Sequence, residues 1–317
     1  MTAAAPVPAE ARAFQGVIPP LVTPLTADGR LDVPSLGRLI EHHIAGGVDG
    51  LFVLGSSGEV AFFEDEMRDE VLRESVRLVG GRVPVLAGII DTQTRRVLAQ
   101  LRRAEAIGVA GVVATAPFYA ITGPEEIENH FRAIAAATDL ALFAYDLPVC
   151  VHVKLDPAML VRLGADGVLT GVKDSSGDDV GFRRLAMMND AAGAPLTLLT
   201  GQETVVDGTY LAGGHGSVPG LGNIDPGGYV RMDRAARAGD IDAVRAEQQR
   251  LAALFEIVFQ PEGKTGPAAG VGAFKTALYL MGIFSTNTMS SPMTALEGEN
   301  VQRVRTVLAG LGVELVR

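Results

Sequence analysis

Eight short apolar runs, separated by longer stretches of helical period, constrain this chain more than any other feature. They are GVIPPLV (16–22), GLFVL (50–54), PVLAGI (84–89), GVVAT (111–115), LALFAY (140–145), VLTGVK (168–173), LTLLT (196–200) and HGSVP (215–219). Runs this short and this apolar suit strands buried on both faces, and strands that alternate with helices build a parallel sheet. Gly50, Gly111, Gly167 and Gly216 each close a helix-like stretch and lead into a strand. Their separations of 61, 56 and 49 residues correspond to about two βα units apiece. An open doubly wound sheet would place a glycine-rich phosphate loop after its first strand, but here that strand runs into IPPLVTPL. The fold expected is therefore α/β, a (β/α)8 TIM barrel with a C-terminal helical extension. Residues 1–13 are expected to be a loose tail, 14–228 the barrel and 229–317 the extension packed on it. Helix starts are expected at Asp32, Thr122 and Asp156, each followed by a helical pattern and the last by Pro157.

Composition narrows the function. The 317 residues are 48% hydrophobic and 20% charged, with a net charge of −10 and no basic cluster, so neither a nucleic acid nor an anionic membrane is an expected partner. The absence of an 18-residue apolar run argues against a transmembrane helix. Cys150 is the only cysteine, which excludes an intramolecular disulfide or a cysteine zinc site. The N-terminal stretch lacks the basic start and apolar core of a signal peptide. A cytoplasmic protein is expected.

In such a barrel the reacting groups stand where the strands end. Lys173 closes the sixth run and precedes Asp174, Ser175 and Ser176. A lysine with its stem in a barrel core is desolvated, which favours the neutral amine able to attack a ketone. A lysine that snorkels to solvent or pairs with Asp174 would fit the same sequence. Tyr145 closes the fifth run beside it, either as a proton relay or as a core tyrosine. After the second run, the glycines of GSSGE (55–59) free backbone amides to face an anion, while Ser56 and Ser57 add hydroxyls. A simple helix-cap loop reads the same way.

Together, GVIPPLVTPLTADGRLD, GSSGE, APFY, YDLP, GVKDSSGD, LTGQE and GGHGSV resemble the dihydrodipicolinate synthase / N-acetylneuraminate lyase family, in order and spacing, from about residue 14 onward. The resemblance implies a barrel with a helical extension, a lysine imine formed with a 2-keto acid, and a homotetramer built as a dimer of dimers. By position it makes Lys173 the imine lysine and Tyr145 the proton relay. Ser56 and Ser57 become the hydroxyl pair that binds carboxylate and relays protons, with Ser57 counted among the catalytic groups. Tyr119 becomes a tyrosine lent across a dimer interface, and Gly201 and Val218 line the pocket. No metal or other cofactor is expected, since the imine itself withdraws electrons.

The family pattern breaks at Cys150, where the lysine-biosynthetic synthases carry an arginine for the second substrate's carboxylate. A thiol cannot replace a guanidinium's paired hydrogen bonds. The opening segments look closer to 2-keto-3-deoxygluconate-type aldolases, with His152, Gln202, Glu203 and Asn223 as candidate contacts to substrate hydroxyls. The function expected is a Schiff-base-forming lyase acting on pyruvate or a 2-keto-3-deoxy sugar acid. The alternatives are a dehydratase of a 4-hydroxy-2-keto acid, a 4-hydroxy-tetrahydrodipicolinate synthase, or a barrel that binds a keto acid without turning it over.

Overall fold

The computed structural model describes residues 14–317; the expected tail, 1–13, lies outside them. All eight apolar runs contribute strands, namely β1 (Gly16–Val17), β2 (Leu51–Val53), β3 (Val85–Gly88), β4 (Gly111–Thr115), β5 (Ala141–Asp146), β6 (Gly171–Asp174), β7 (Thr197–Thr200) and β8 (Gly216–Ser217). Every pairing is parallel, and the order β1-β8-β7-β6-β5-β4-β3-β2 is that of a rolled sheet. The four recurring glycines lead into β2, β4, β6 and β8, so they do mark every second unit.

The first run is extended over only two ladder residues, and proline is the reason. Pro19 and Pro20 have no N–H to give a neighbouring strand. The barrel nevertheless closes there: Phe52 N–H donates to Pro19 O at 3.0 Å, Leu21 N–H donates to Phe52 O at 2.8 Å, and Pro20 bridges Phe52 in parallel sense.

The helices are α1 (Val33–Gly46), α2 (Asp65–Val79), α3 (Thr94–Ile107), α4 (Pro124–Ala135), α5 (Pro148–Val151), α6 (Pro157–Ala165), α7 (Asp179–Ala191), α8 (Val206–Leu211), α9 (Pro226–Ala238), α10 (Ile241–Phe255), α11 (Pro267–Leu280) and α12 (Glu299–Gly310). Asp32 and Asp156 cap α1 and α6 as expected, accepting from Ser35 N–H at 3.1 Å and Met159 N–H at 3.0 Å. Thr122 does not cap α4. Pro124 presets the first helical φ, and Gly123 is the residue at the cap.

The expected boundary at 228 falls inside α9, which packs against α1 and β1. This helix follows β8 in the chain, as each earlier helix follows a strand. The extension is not a separate body: α11 carries Lys275, fully buried against the barrel.

Candidate active site at the strand ends

Register places Tyr145 directly beside Lys173, and Asp146 beside Asp174, across β5 and β6. Successive residues of a strand face opposite sides, so one pair enters the barrel and the other leaves it. Lys173 is 5% exposed, with its Nζ 3.6 Å from the centroid of the Tyr145 ring and 5.3 Å from that of Phe52. Phe52 was missed in the sequence because it sits mid-run in GLFVL. It meets Tyr145 edge-on at 6.3 Å and lies under both side chains.

Asp174 does not pair with Lys173. On the far side of the strands, Lys154 Nζ binds Asp146 and reaches Asp174 at 3.3 Å. Asp146 also accepts from Leu155 N–H at 3.2 Å, and Asp174 from Ser176 N–H at 2.8 Å. Burial pushes the Asp146 carboxyl up to about 6 even with Lys154 beside it. This cluster fastens the ends of β5 and β6 to each other. Lys173 is left with no carboxylate partner among the described residues, and the amine is held over aromatic faces.

The GSSGE segment forms a tight turn: Gly58 N–H donates to Gly55 O at 3.0 Å and Glu59 N–H to Ser56 O at 3.1 Å. Among the described residues the N–H groups of Ser56 and Ser57 find no acceptor within the chain. Two free adjacent amides on a fixed turn suit a carboxylate. Ser56 Oγ stands 3.5 Å from Tyr145 Oη, whereas Ser57 makes no hydrogen bond to either Tyr145 or Lys173. The hydroxyl beside the phenol is thus that of Ser56. The turn needs unusual backbone, since Leu54 (φ 60°) and Glu59 (φ 63°) are both left-handed, a conformation that side chains tolerate poorly. Gly88 makes room for it, because a Cβ there would collide with Leu54 O.

The turn is anchored from below by the extension. Glu59, fully buried, is ion-paired with Lys275 of α11 and accepts from Ser290 N–H at 2.8 Å. Lys275 also donates to Thr288 O at 2.9 Å. Burial lowers the Lys275 ammonium from its usual range, with Glu59 opposing.

Other expected site residues divide. Gly201 lies beside the lysine stem: a Cβ there would strike Ser175 Oγ and come within 3.4 Å of Lys173 Cε. Val218 is buried just after β8, its N–H donating to Thr200 O at 2.7 Å. Glu203 stands near enough for Lys173 to act on it, and burial raises its carboxyl from the usual range, but Oε1 already accepts from Gly220 N–H at 2.9 Å. The Gln202 amide reaches toward Gly177. His152 is exposed at the C-terminus of α5, and Tyr119 is 94% exposed with φ 73°. Asn223 is not available to a ligand. It is fully buried, bonded to Pro20 O, Gly220 O and Val22 N–H, and lies 3.3 Å from His43 Nε2. No cluster of three or more potential metal ligands occurs among the described residues.

The model of the dihydrodipicolinate synthetase family matches residues 13–310. The chain belongs to that family. Membership makes it a pyruvate-dependent class I lyase. Among its relatives in the dihydrodipicolinate synthetase family, the 4-hydroxy-tetrahydrodipicolinate synthase of Gluconacetobacter diazotrophicus is 30% identical over 96% of this chain and 99% of its own. That of Methylococcus capsulatus is 32% identical over 95% and 99%. The dihydrodipicolinate synthase of Bacteroides thetaiotaomicron superposes with a TM-score of 0.88 at 33% identity, covering 94% of this chain and 98% of that one. YagE, a prophage protein of the same family from E. coli K12, solved in complex with pyruvate, has a TM-score of 0.89 at 29% identity over 95% and 99%. These relatives carry synthase or family names, and nothing in them favours the 2-keto-3-deoxygluconate subtype. No helix among the described residues is long and apolar enough to cross a membrane.

Proposed function

We propose that Lys173 forms an imine with the ketone of a 2-keto acid and that the enzyme makes or breaks the C3–C4 bond of a 4-hydroxy-2-keto acid through it. The observation that carries this reading is the buried Lys173 amine, without a carboxylate partner, held 3.6 Å over the Tyr145 ring. The free amides of Ser56 and Ser57 receive the keto acid's carboxylate. Lys173 attacks the ketone, and Tyr145 with Ser56 moves the protons that convert carbinolamine to iminium. In cleavage Tyr145 takes the proton of the C4 hydroxyl, the C3–C4 bond breaks, and an enamine of pyruvate remains. In the dehydratase alternative the iminium instead loses a proton from C3, and the resulting enamine, with C3–C4 intact, expels the C4 hydroxyl as water.

Cys150 argues against the synthase reaction. A second carboxylate needs a cation, and Lys154, the nearest candidate in the sequence, is committed to Asp146 and Asp174. Condensation of pyruvate with aspartate semialdehyde is expected to be poor by about 30-fold or more against the preferred acceptor, the scale of a lost charge-assisted pair. The assay is initial-rate condensation over a panel of aldehydes. Aspartate semialdehyde as the best acceptor by kcat/KM would restore the synthase reading.

For assembly we infer a homotetramer. The support is the apolar exposure of Tyr119, Ile121 (77%) and Val149 (78%) on the strand-end loops, which a second copy would cover.

A further inference from the structure

The imine chemistry leaves the far end of the keto acid unassigned, and the molecule has a space for it. A cavity of about 260 Å³ is bounded by Ser56, whose Oγ stands 3.5 Å from the Tyr145 phenol, and by Thr115, which pairs with Tyr145 across β4 and β5. Its wall comes from distant parts of the chain: Phe62 after the anion turn, Ile90 after β3, Phe118 after β4, Leu147 and Val151 after β5, and Pro267 at the start of α11. The few polar residues in the lining are largely occupied or turned away. Glu59 is consumed by Lys275, Ser56 faces Tyr145, and the Thr115 hydroxyl, though without a partner, is buried out of reach. No lysine, arginine or histidine lines the space. Where a synthase would present its guanidinium, Cys150 contributes a thiol to the wall, close enough to Lys173 to feel its charge.

A polyhydroxylated chain placed here would lose water without gaining partners, and a carboxylate would lose far more. An apolar group loses nothing and gains contact with the aromatic and branched side chains. The volume lies just below the roughly 300 Å³ at which sites for drug-sized ligands begin, so the group is small.

We propose that this cavity is the acceptor subsite and takes an uncharged apolar group, a short branched alkyl chain or one aromatic ring, attached at C4 of the 2-keto acid. The proposal rests on the lysine-imine reading above. In the synthetic direction the enamine carbon of pyruvate bonds to the carbon of an apolar aldehyde. The aldehyde oxygen takes the electron pair of its C=O bond and a proton from Tyr145. Water then releases the 4-hydroxy-2-keto acid and restores the Lys173 amine, with no oxidant or reductant required.

The test is condensation of pyruvate with isobutyraldehyde, benzaldehyde, glyceraldehyde and succinic semialdehyde, with borohydride trapping of pyruvate alone in parallel. Isobutyraldehyde or benzaldehyde is expected to exceed glyceraldehyde and the semialdehyde by about tenfold or more in kcat/KM, the discrimination typical of an apolar pocket. In Cys150→Arg, checked for an unaltered melting temperature, that ratio is expected to fall by about tenfold as a charge enters the wall. Equal or better use of glyceraldehyde or the semialdehyde, with pyruvate still trapped, overturns the apolar subsite alone. Failure to trap pyruvate overturns the imine reading and this inference with it.

Discussion

Lys173 and Tyr145 were legible because both close an apolar run, and in a parallel barrel a polar residue in that position faces the reaction face. What surrounds them was not. Lys173 lacks a carboxylate because Asp146 and Asp174 leave their strands on the opposite side, as strand alternation requires, and the sequence does not foretell that Lys154 takes both of them there. The sequence also left open which hydroxyl of the Ser56–Ser57 pair meets the phenol, since a turn's side-chain directions depend on its left-handed residues. Tyr145→Phe keeps the ring over the amine and removes only the proton carrier. It is expected to slow imine formation and turnover by about 10² to 10⁴ with the fold intact, the usual range for a general acid–base group. Stopped-flow rates of imine formation check this, and an unchanged rate would make Tyr145 a packing residue.

At the scale of elements, the eight strands were readable from hydrophobic runs, while the ties between elements were not. The GSSGE turn reads as a glycine-rich loop, yet it owes its position to Lys275 on α11, far along the chain and inside a helix that looks uniformly apolar. Such a pair is invisible to periodicity because each partner belongs to a different local pattern. Removing one charge of a fully buried pair strands the other, typically at a cost of about 3–5 kcal/mol. Lys275→Met is therefore expected to lower stability by that amount and to raise the KM for pyruvate as the Ser56 and Ser57 amides lose their fixed geometry. Urea denaturation and steady-state kinetics read the two effects. A stable variant with unaltered KM would mean that the turn holds itself.

For the molecule as a whole, the barrel and its extension were legible, while the division expected at 228 falls inside α9, a helix that packs on α1 and β1. The barrel also buries histidines. Burial lowers His43 to about 3 and His130 to about 4, against an ordinary value near 6.5. Groups depressed in the folded state contribute stability that is complete above pH about 6.5 and is lost as the pH falls toward 4. The urea midpoint is expected to drop steadily across that window and less steeply in His130→Gln; a flat profile would contradict this burial. The barrel, the anion turn and the aromatic floor converge on one amine, and intact mass reports on it most directly. Incubated with pyruvate and borohydride, each chain should gain one pyruvate unit less its ketone oxygen, peptide mapping should place it on Lys173, and Lys173→Ala should gain nothing. Labelling at another residue, or labelling that survives in Lys173→Ala, would contradict the account.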